Sequence, residues 1–272
     1  MLLLAGLLGA TLVRFAPGFA VDERELDTRL SEETLNAVRA ERAADAGLLA
    51  FYGNYLGGLA SGDLGFSRSL NRPVRELLGE RLPATLRLVA VGLLLGWMAG
   101  LGFALSGAAF PGSGVSAGGA AVAGLILSVP AALVGLAFLH GGWPREAAVG
   151  VVVFPRIYSY ASRLLQETAT RPHVLLARAK GVSGAALLGR HLLRPPLGEL
   201  AALGGVTVSI AWGACIPLEV LCDVPGIGQL AWNAALGRDL PVLVSLTLLT
   251  ALITMSANAL ADIAAASLRR PG

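Results

Sequence analysis

Apolar runs of bilayer-crossing length recur along this chain, and few folds other than a membrane-embedded helical bundle can hide them. Thr85 to Phe110, Ala117 to Leu139, Pro144 to Ser162, Leu200 to Leu221 and Pro241 to Leu268 each hold few charges, and a transmembrane helix needs about 20 mostly apolar residues. Of 272 residues, 55% are hydrophobic and 14% charged, against roughly 25% charged in soluble domains. The expected class is all-α: a polytopic membrane protein with the lipid bilayer as its solvent. The net charge of +3 comes almost wholly from arginine, Lys180 being the sole lysine, and no basic block with interleaved aromatics points to nucleic acid.

Met1 to Val13 is a further apolar run, followed by Arg14 and Ala16-Pro17-Gly18. It is short for a span and reads either as a signal-peptide core or as a first transmembrane helix reaching Ala20. The lack of a basic leader or a small-x-small cleavage site favours the helix. Six crossings result. Residues 21–84 are polar, and Leu26, Leu30, Leu35 and Val38 recur at helical spacing. Segment 163–200 carries Arg163, Arg171, Arg178, Lys180, Arg190 and Arg194 against Glu167 and Glu199, and the tail 269–272 adds Arg269 and Arg270. Positive charge favours the cytoplasmic side. With six crossings both termini are then cytoplasmic, while 21–84 and 222–240 lie outside. The remaining five crossings, 85–268, form the core.

Within those crossings the polar and small residues are informative. Gly92, Gly96 and Gly100 make a ladder that lets helices approach closely. Arg156, beside Pro155, must face protein or water, or snorkel from a helix end. Ser245, Thr254, Asn258 and Asp262 fall near one face of the last run, as candidates for lining a water-filled path or for gluing helices. Glu219 is expected to bond the loop Pro225-Gly226-Ile227-Gly228, and Trp143 and Trp232 fit interfacial anchors.

Chemistry of the catalytic kind is not evident. A phosphate-cradling loop needs Gly-Lys followed by Ser or Thr, and Lys180 is followed by Gly181. Gly181-Val182-Ser183-Gly184 has the look of a serine protease motif, but the last apolar run contains no histidine to serve as base. The histidines His140, His173 and His191 are scattered, so no metal site is expected. Cys215 and Cys222 lie about 10.5 Å apart along a helix, too far for a disulfide. What stands out is Ala177-Arg178-Ala179-Lys180-Gly181, where small residues alternate with charges. A helix, a glycine turn and a second short helix here would offer a surface to a separate, energy-supplying subunit. From the residues alone, an ATP-independent secondary transporter or channel is the alternative.

From Gly62 onward the chain resembles the permease subunits of binding-protein-dependent ABC importers, in the dipeptide, oligopeptide and nickel group. Ala177-Arg178-Ala179-Lys180-Gly181 with His191 and Leu192 is similar to that group's cytoplasmic "EAA" loop. Gly62-Asp63-Leu64-Gly65-Phe66-Ser67, Arg72-Pro73-Val74 and Leu82-Pro83-Ala84-Thr85-Leu86 are similar to its segment before the second helix. Glu219-Val220, Pro225-Gly226-Ile227-Gly228 and Arg238-Asp239-Leu240-Pro241 are similar to its last external loop, and Asp262 with Arg269-Arg270-Pro271 to its ending. Arg14-Phe15-Ala16-Pro17-Gly18 resembles the end of its first helix. The double proline in Leu193-Arg194-Pro195-Pro196-Leu197 departs from the pattern. The resemblance implies a six-helix permease in a bacterial or archaeal inner membrane, forming half of a path for peptides or a similar small solute. It also implies a second, related permease, two cytoplasmic ATPases that bind ATP and Mg, and an external solute-binding protein. This chain itself would bind no cofactor.

Overall fold

The computed structural model describes residues 57–58, 62–67, 69–110, 114–182 and 184–268, together with Thr11. The first apolar run apart from Thr11, the stretch Asp22–Asp45 and the tail 269–272 lie outside the described residues. The elements in order are β1 (Phe66–Ser67), β2 (Arg72–Pro73), α1 (Val74–Ala109), α2 (Val115–Leu127), α3 (Ala131–His140), α4 (Arg145–Ala169) and α5 (Pro172–Ala179). A single helical turn, α6 (Gly184–Ala186), then runs into a π-helix at Leu187–Leu193, followed by α7 (Leu197–Leu221), α8 (Ile227–Leu236) and α9 (Leu240–Leu268). Helix dominates for a physical reason: in lipid every backbone polar group must be satisfied within the segment.

The chain divides into two compact units. One comprises residues 1–82 and 230–252, and holds the antiparallel β1–β2 hairpin, in which Phe66 pairs with Pro73 and Ser67 with Arg72. Asn71, at φ 51°, closes its turn in the left-handed region that asparagine tolerates. Beside the hairpin, Arg72 forks onto Glu80 at 2.6 Å and reaches Glu76 at 3.4 Å, and the Glu80 hydrogen bond raises the guanidinium above its ordinary range.

The other unit comprises 83–229 and 253–272 and is built around α4. Ala148, Val149, Val153, Phe154, Ile157, Tyr158, Ala161 and Leu165 are buried on this helix, packed against α2, α3 and α7. Helix α1 also approaches it closely, through glycines. A Cβ at Gly92 would sit 2.5 Å from Val149 Cβ, one at Gly100 would sit 2.7 Å from Ile157 Cγ2, and one at Gly96 would collide with Val153. The expected glycine ladder is therefore a groove, filled by three β-branched side chains spaced four apart. Gly150 returns the favour, its missing Cβ clearing Gly92 O by 3.1 Å. Tyr158 closes the other side, donating to Ser116 O at 2.7 Å while its ring fills the space left by Gly119.

Three described helices, α1, α7 and α9, are long and apolar enough to cross a bilayer, or four if α2 and α3 count as one broken element. The run expected as a crossing from Ala117 to Leu139 is not a straight helix: α2 and α3 meet at 98°. Pro130 explains the break, since it lacks an N–H, clashes with the preceding turn and pushes Val129 out of the helical region. The run expected from Pro144 to Ser162 is α4, which continues to Ala169. Its Arg145, Glu146, Arg156, Arg163 and Glu167 keep it from qualifying on composition. Of the six expected crossings, the first lies outside the described residues.

The ladder makes a direct prediction. Gly96→Leu should force α1 off α4 and destabilise the purified protein by about 1–3 kcal/mol or more, read as a lower thermal midpoint. Gly102→Ala, where an added Cβ meets nothing within 4 Å, should change stability by less than about 0.5 kcal/mol.

Candidate functional site

The basic turn is built by a helix-ending motif. Helix α5 starts with Pro172 in its first turn and ends at Ala179 with Lys180 as C-cap. Gly181 adopts φ +81°. Its N–H donates to Arg178 O at 2.9 Å, and the N–H of Val182 donates to Ala177 O at 3.0 Å. This 5→2 and 6→1 pair is the Schellman arrangement, which satisfies the last carbonyls and favours glycine at the left-handed position. Gly184, at φ +61°, supplies a second left-handed residue before the π-helix that carries Arg190 and His191. The helix–glycine turn–helix expected from the sequence is present, with the second helix wound as π.

Exposure divides the segment into two faces. Val174 and Ala177 are buried, one helical turn apart, and Leu192 of the π-helix is fully buried. Val174 and Leu192 join a cluster with Phe154, Tyr158, Ala161, Leu164 and Leu165 of α4 and Leu200 of α7. Full burial of such side chains is worth about 1.5–3 kcal/mol each, so the turn is pinned to the bundle. The outward face is different. Leu175 and Leu176 are 53% and 56% exposed, with Arg178, Ala179 and Lys180 exposed beside them and His191 half-buried. Two bare leucines bordered by cations make a surface suited to a protein partner.

The loop between α7 and α8 is organised by one buried carboxylate. Glu219 is fully buried near the end of α7. Its Oε1 accepts from Thr85 Oγ1 at 2.6 Å, and its Oε2 from Gly228 N–H at 2.6 Å. Thr85 in turn accepts from Ile227 N–H at 2.8 Å. A Cβ at Gly226 would overlap the Glu219 carboxylate, and one at Gly228 would lie 2.5 Å from Ile216 Cα. Glycine at both positions is what lets the loop backbone close over the acid. Asp223, at φ 50°, takes the left-handed position after α7, where Val224 N–H donates to Glu219 O at 2.9 Å. Pro225 is exposed at the rim. The sequence paired Glu219 with this loop and missed Thr85, a hydroxyl that lies 134 residues away and gives no periodic signal.

A second carboxylate plays a parallel part in the other unit. Helix α8 ends in the same 5→2, 6→1 pattern, with Arg238 at φ 50° and Asp239 N–H donating to Ala234 O at 2.8 Å. That backbone turn delivers Asp239 to the hairpin. Its Oδ2 accepts from Ser67 Oγ at 2.6 Å, Ser69 Oγ at 2.8 Å and Ser69 N–H at 3.0 Å, while Oδ1 is buried without a hydrogen bond among the described residues. Gly237 gives room for Ser69, whose Cβ would stand 2.9 Å from an added methyl. Ser67 and Ser69 were not legible as partners, because serine before a turn is common in any chain.

The four polar residues of α9 differ in exposure and bonding. Ser245 is buried, its hydroxyl donating to Pro241 O at 2.7 Å. Asn258 is half-buried and donates to Ser209 Oγ of α7 at 3.0 Å and to Thr254 O at 2.7 Å. Gly205 of α7 accommodates it, since a Cβ there would meet Asn258 Cα at 2.9 Å. Thr254 is half-buried and Asp262 exposed. The Asn258–Ser209 bond joins α9 to α7, whereas the Ser245 bond stays within α9.

Comparison with known proteins places this arrangement. Residues 92–270 match the family model described as "Binding-protein-dependent transport system inner membrane component". The chain is similar to a putative peptide transport system permease protein of Brucella abortus, 28% identical over 263 residues, covering 86% of this chain and 82% of the relative. It is similar to the oligopeptide transport system permease protein OppB of Salmonella typhimurium, 28% identical over 269 residues, with 88% and 84% covered. AppB of Bacillus subtilis, another oligopeptide transport system permease protein, is 27% identical over 241 residues, with 78% and 76% covered.

The Glu219 node is separable by substitution. Glu219→Ala strands the Thr85 hydroxyl and the Gly228 N–H in a buried void and should cost about 3 kcal/mol or more. Glu219→Gln keeps one acceptor and should cost less than half as much. Denaturation of the two variants in detergent, side by side, checks the ordering; equal losses would contradict the hydrogen-bond account.

Proposed function

Since the chain belongs to the family of binding-protein-dependent transport system inner membrane components, we propose that it is the permease half through which a peptide crosses the membrane, paired with a second, related permease. As a family member it is a transport component and not an enzyme, and it works with ATPase and substrate-binding partners. The finer assignment is two ATPase subunits on the cytoplasmic side, holding ATP and Mg, and one solute-binding protein outside. The peptide class is supported by the names of the relatives, each a peptide or oligopeptide permease.

The observation that carries the coupling role is the outward face of α5. Leu175 and Leu176 stand bare beside Arg178 and Lys180, on a helix anchored from behind by Val174 and Leu192. A partner that grips those leucines has a rigid handle on the bundle. On this reading segment 163–200 and both termini face the cytoplasm, and Glu219 with residues 222–240 lies on the outer side. The node at Glu219 then holds the outer loop in shape and leaves the solute to other residues.

Gly181→Pro tests the coupling role. Proline fixes φ near −65° and has no N–H, whereas Gly181 needs φ +81° and donates to Arg178. The variant should insert normally yet lose both ATPase co-purification and peptide uptake. Gly189→Ala, on the same segment with nothing within 4 Å of an added Cβ, should retain both. Normal co-purification of the ATPase with Gly181→Pro would overturn the role, as would labelling of Lys180 from the outer side.

A further inference from the structure

Helix α4 carries a polar stripe that its position in the bundle does not explain. Its apolar faces are taken up by α1, α2, α3 and α7. Among its exposed residues, Arg156, Ser159, Arg163 and Gln166 are spaced three and four apart along one face. Arg156 lies about 16 Å from the start of the helix and about 10 Å short of residue 163 at 1.5 Å per residue, where the cytoplasmic segment begins on the reading above. The two arginines differ. Arg163 has Glu167 at 3.6 Å and stands over the Tyr160 ring at 5.6 Å. Arg156 has no hydrogen-bond or ion-pair partner among the described residues.

A charge at that depth is costly in hydrocarbon and occurs where it faces water or an opposite charge. Ser159, exposed close by on the same face, argues against lipid. Glu167, exposed beside the stripe, is already occupied by Arg163. We propose that the stripe of α4 faces the aqueous path and that Arg156 is a specificity-determining contact, its guanidinium receiving a carboxylate of the crossing solute. The fork of guanidinium donors matches a carboxylate in a bidentate pair, and a peptide carries such a group at its C-terminus. This inference rests on the peptide-permease reading.

The test uses the complete transporter with its binding protein in vesicles, and two probes, trialanine and trialanine amide. The acid-to-amide uptake ratio is compared between variant and wild type, so that any preference of the binding protein cancels. Arg156→Gln should lower that ratio about tenfold by raising the KM for trialanine, with amide uptake unchanged. Arg156→Lys should restore part of it. Separately, Ser159→Cys should react with a charged, membrane-impermeant methanethiosulfonate; the native Cys215 and Cys222 are buried and give little background. An unchanged ratio in Arg156→Gln, or equal loss of both probes as for a residue pairing with the second subunit, overturns the inference while leaving the peptide reading intact. An unreactive Ser159→Cys overturns it as well. Wild-type vesicles that carry neither probe refute the peptide reading, and the inference falls with it.

Discussion

The contact between α1 and α4 is the constraint on which the rest of the bundle depends. Lipid offers no hydrophobic drive to join two apolar helices, so their association must come from close van der Waals packing. Gly92, Gly96 and Gly100 open a groove, and Val149, Val153 and Ile157 fill it. β-branched side chains suit this task because their rotamers are already fixed in a helix, and little entropy is lost on docking. The groove also sets the rotation of α4 about its own axis. Once those three side chains are seated, Phe154 and Tyr158 can only point into the cluster near the basic turn, and Arg156 can only point away from it. A glycine spacing in one helix thus decides which face of another is left open.

Both units stabilise a loop by the same device. A buried carboxylate collects several donors from segments far apart in sequence, and glycines remove the side chains that would keep backbone from acid. Glu219 gathers Thr85 and Gly228; Asp239 gathers Ser67 and Ser69. The left-handed residues Asp223 and Arg238 follow the helices that lead to each node. At Arg238 the full Schellman pair, and at Asp223 its 6→1 bond, satisfies carbonyls of the helix end. Replacing either acid by an apolar residue would leave donors stranded, which is why such a node costs more to break than a surface pair.

Helical class, the glycine ladder and the basic turn were legible because each follows from a local rule: run length, a spacing of four, and the need for glycine at φ > 0. The 98° bend at Pro130 was not legible, because one proline ends a helix without dictating where the next one points. Helix α4 was the least legible element. Its charges argue against a crossing and its buried residues argue for one, and only the packing of neighbours on several sides reconciles the two. The hydroxyl donors to Glu219 and Asp239 lay beyond reach for a simpler reason: groups more than 100 residues distant carry no sequence pattern that points to them.

How a turn at one end of the bundle bears on the middle of α4 follows from the same packing. Val174 and Leu192 lie in one cluster with Phe154, Tyr158, Ala161 and Leu165. Close-packed interiors deform little, so a shift of α5 has to be absorbed by the side chains that hold it. Those side chains belong largely to α4, and Phe154 stacks on Tyr158 at 5.7 Å while meeting Phe103 of α1 edge-on at 5.9 Å. Arg156 sits between the two stacked residues on the opposite face of the same helical turn. A load applied to the outward leucines of α5 therefore arrives at the turn of α4 that carries Arg156. Rigid side chains joined in series are enough for this, with no flexible linker between surface and stripe.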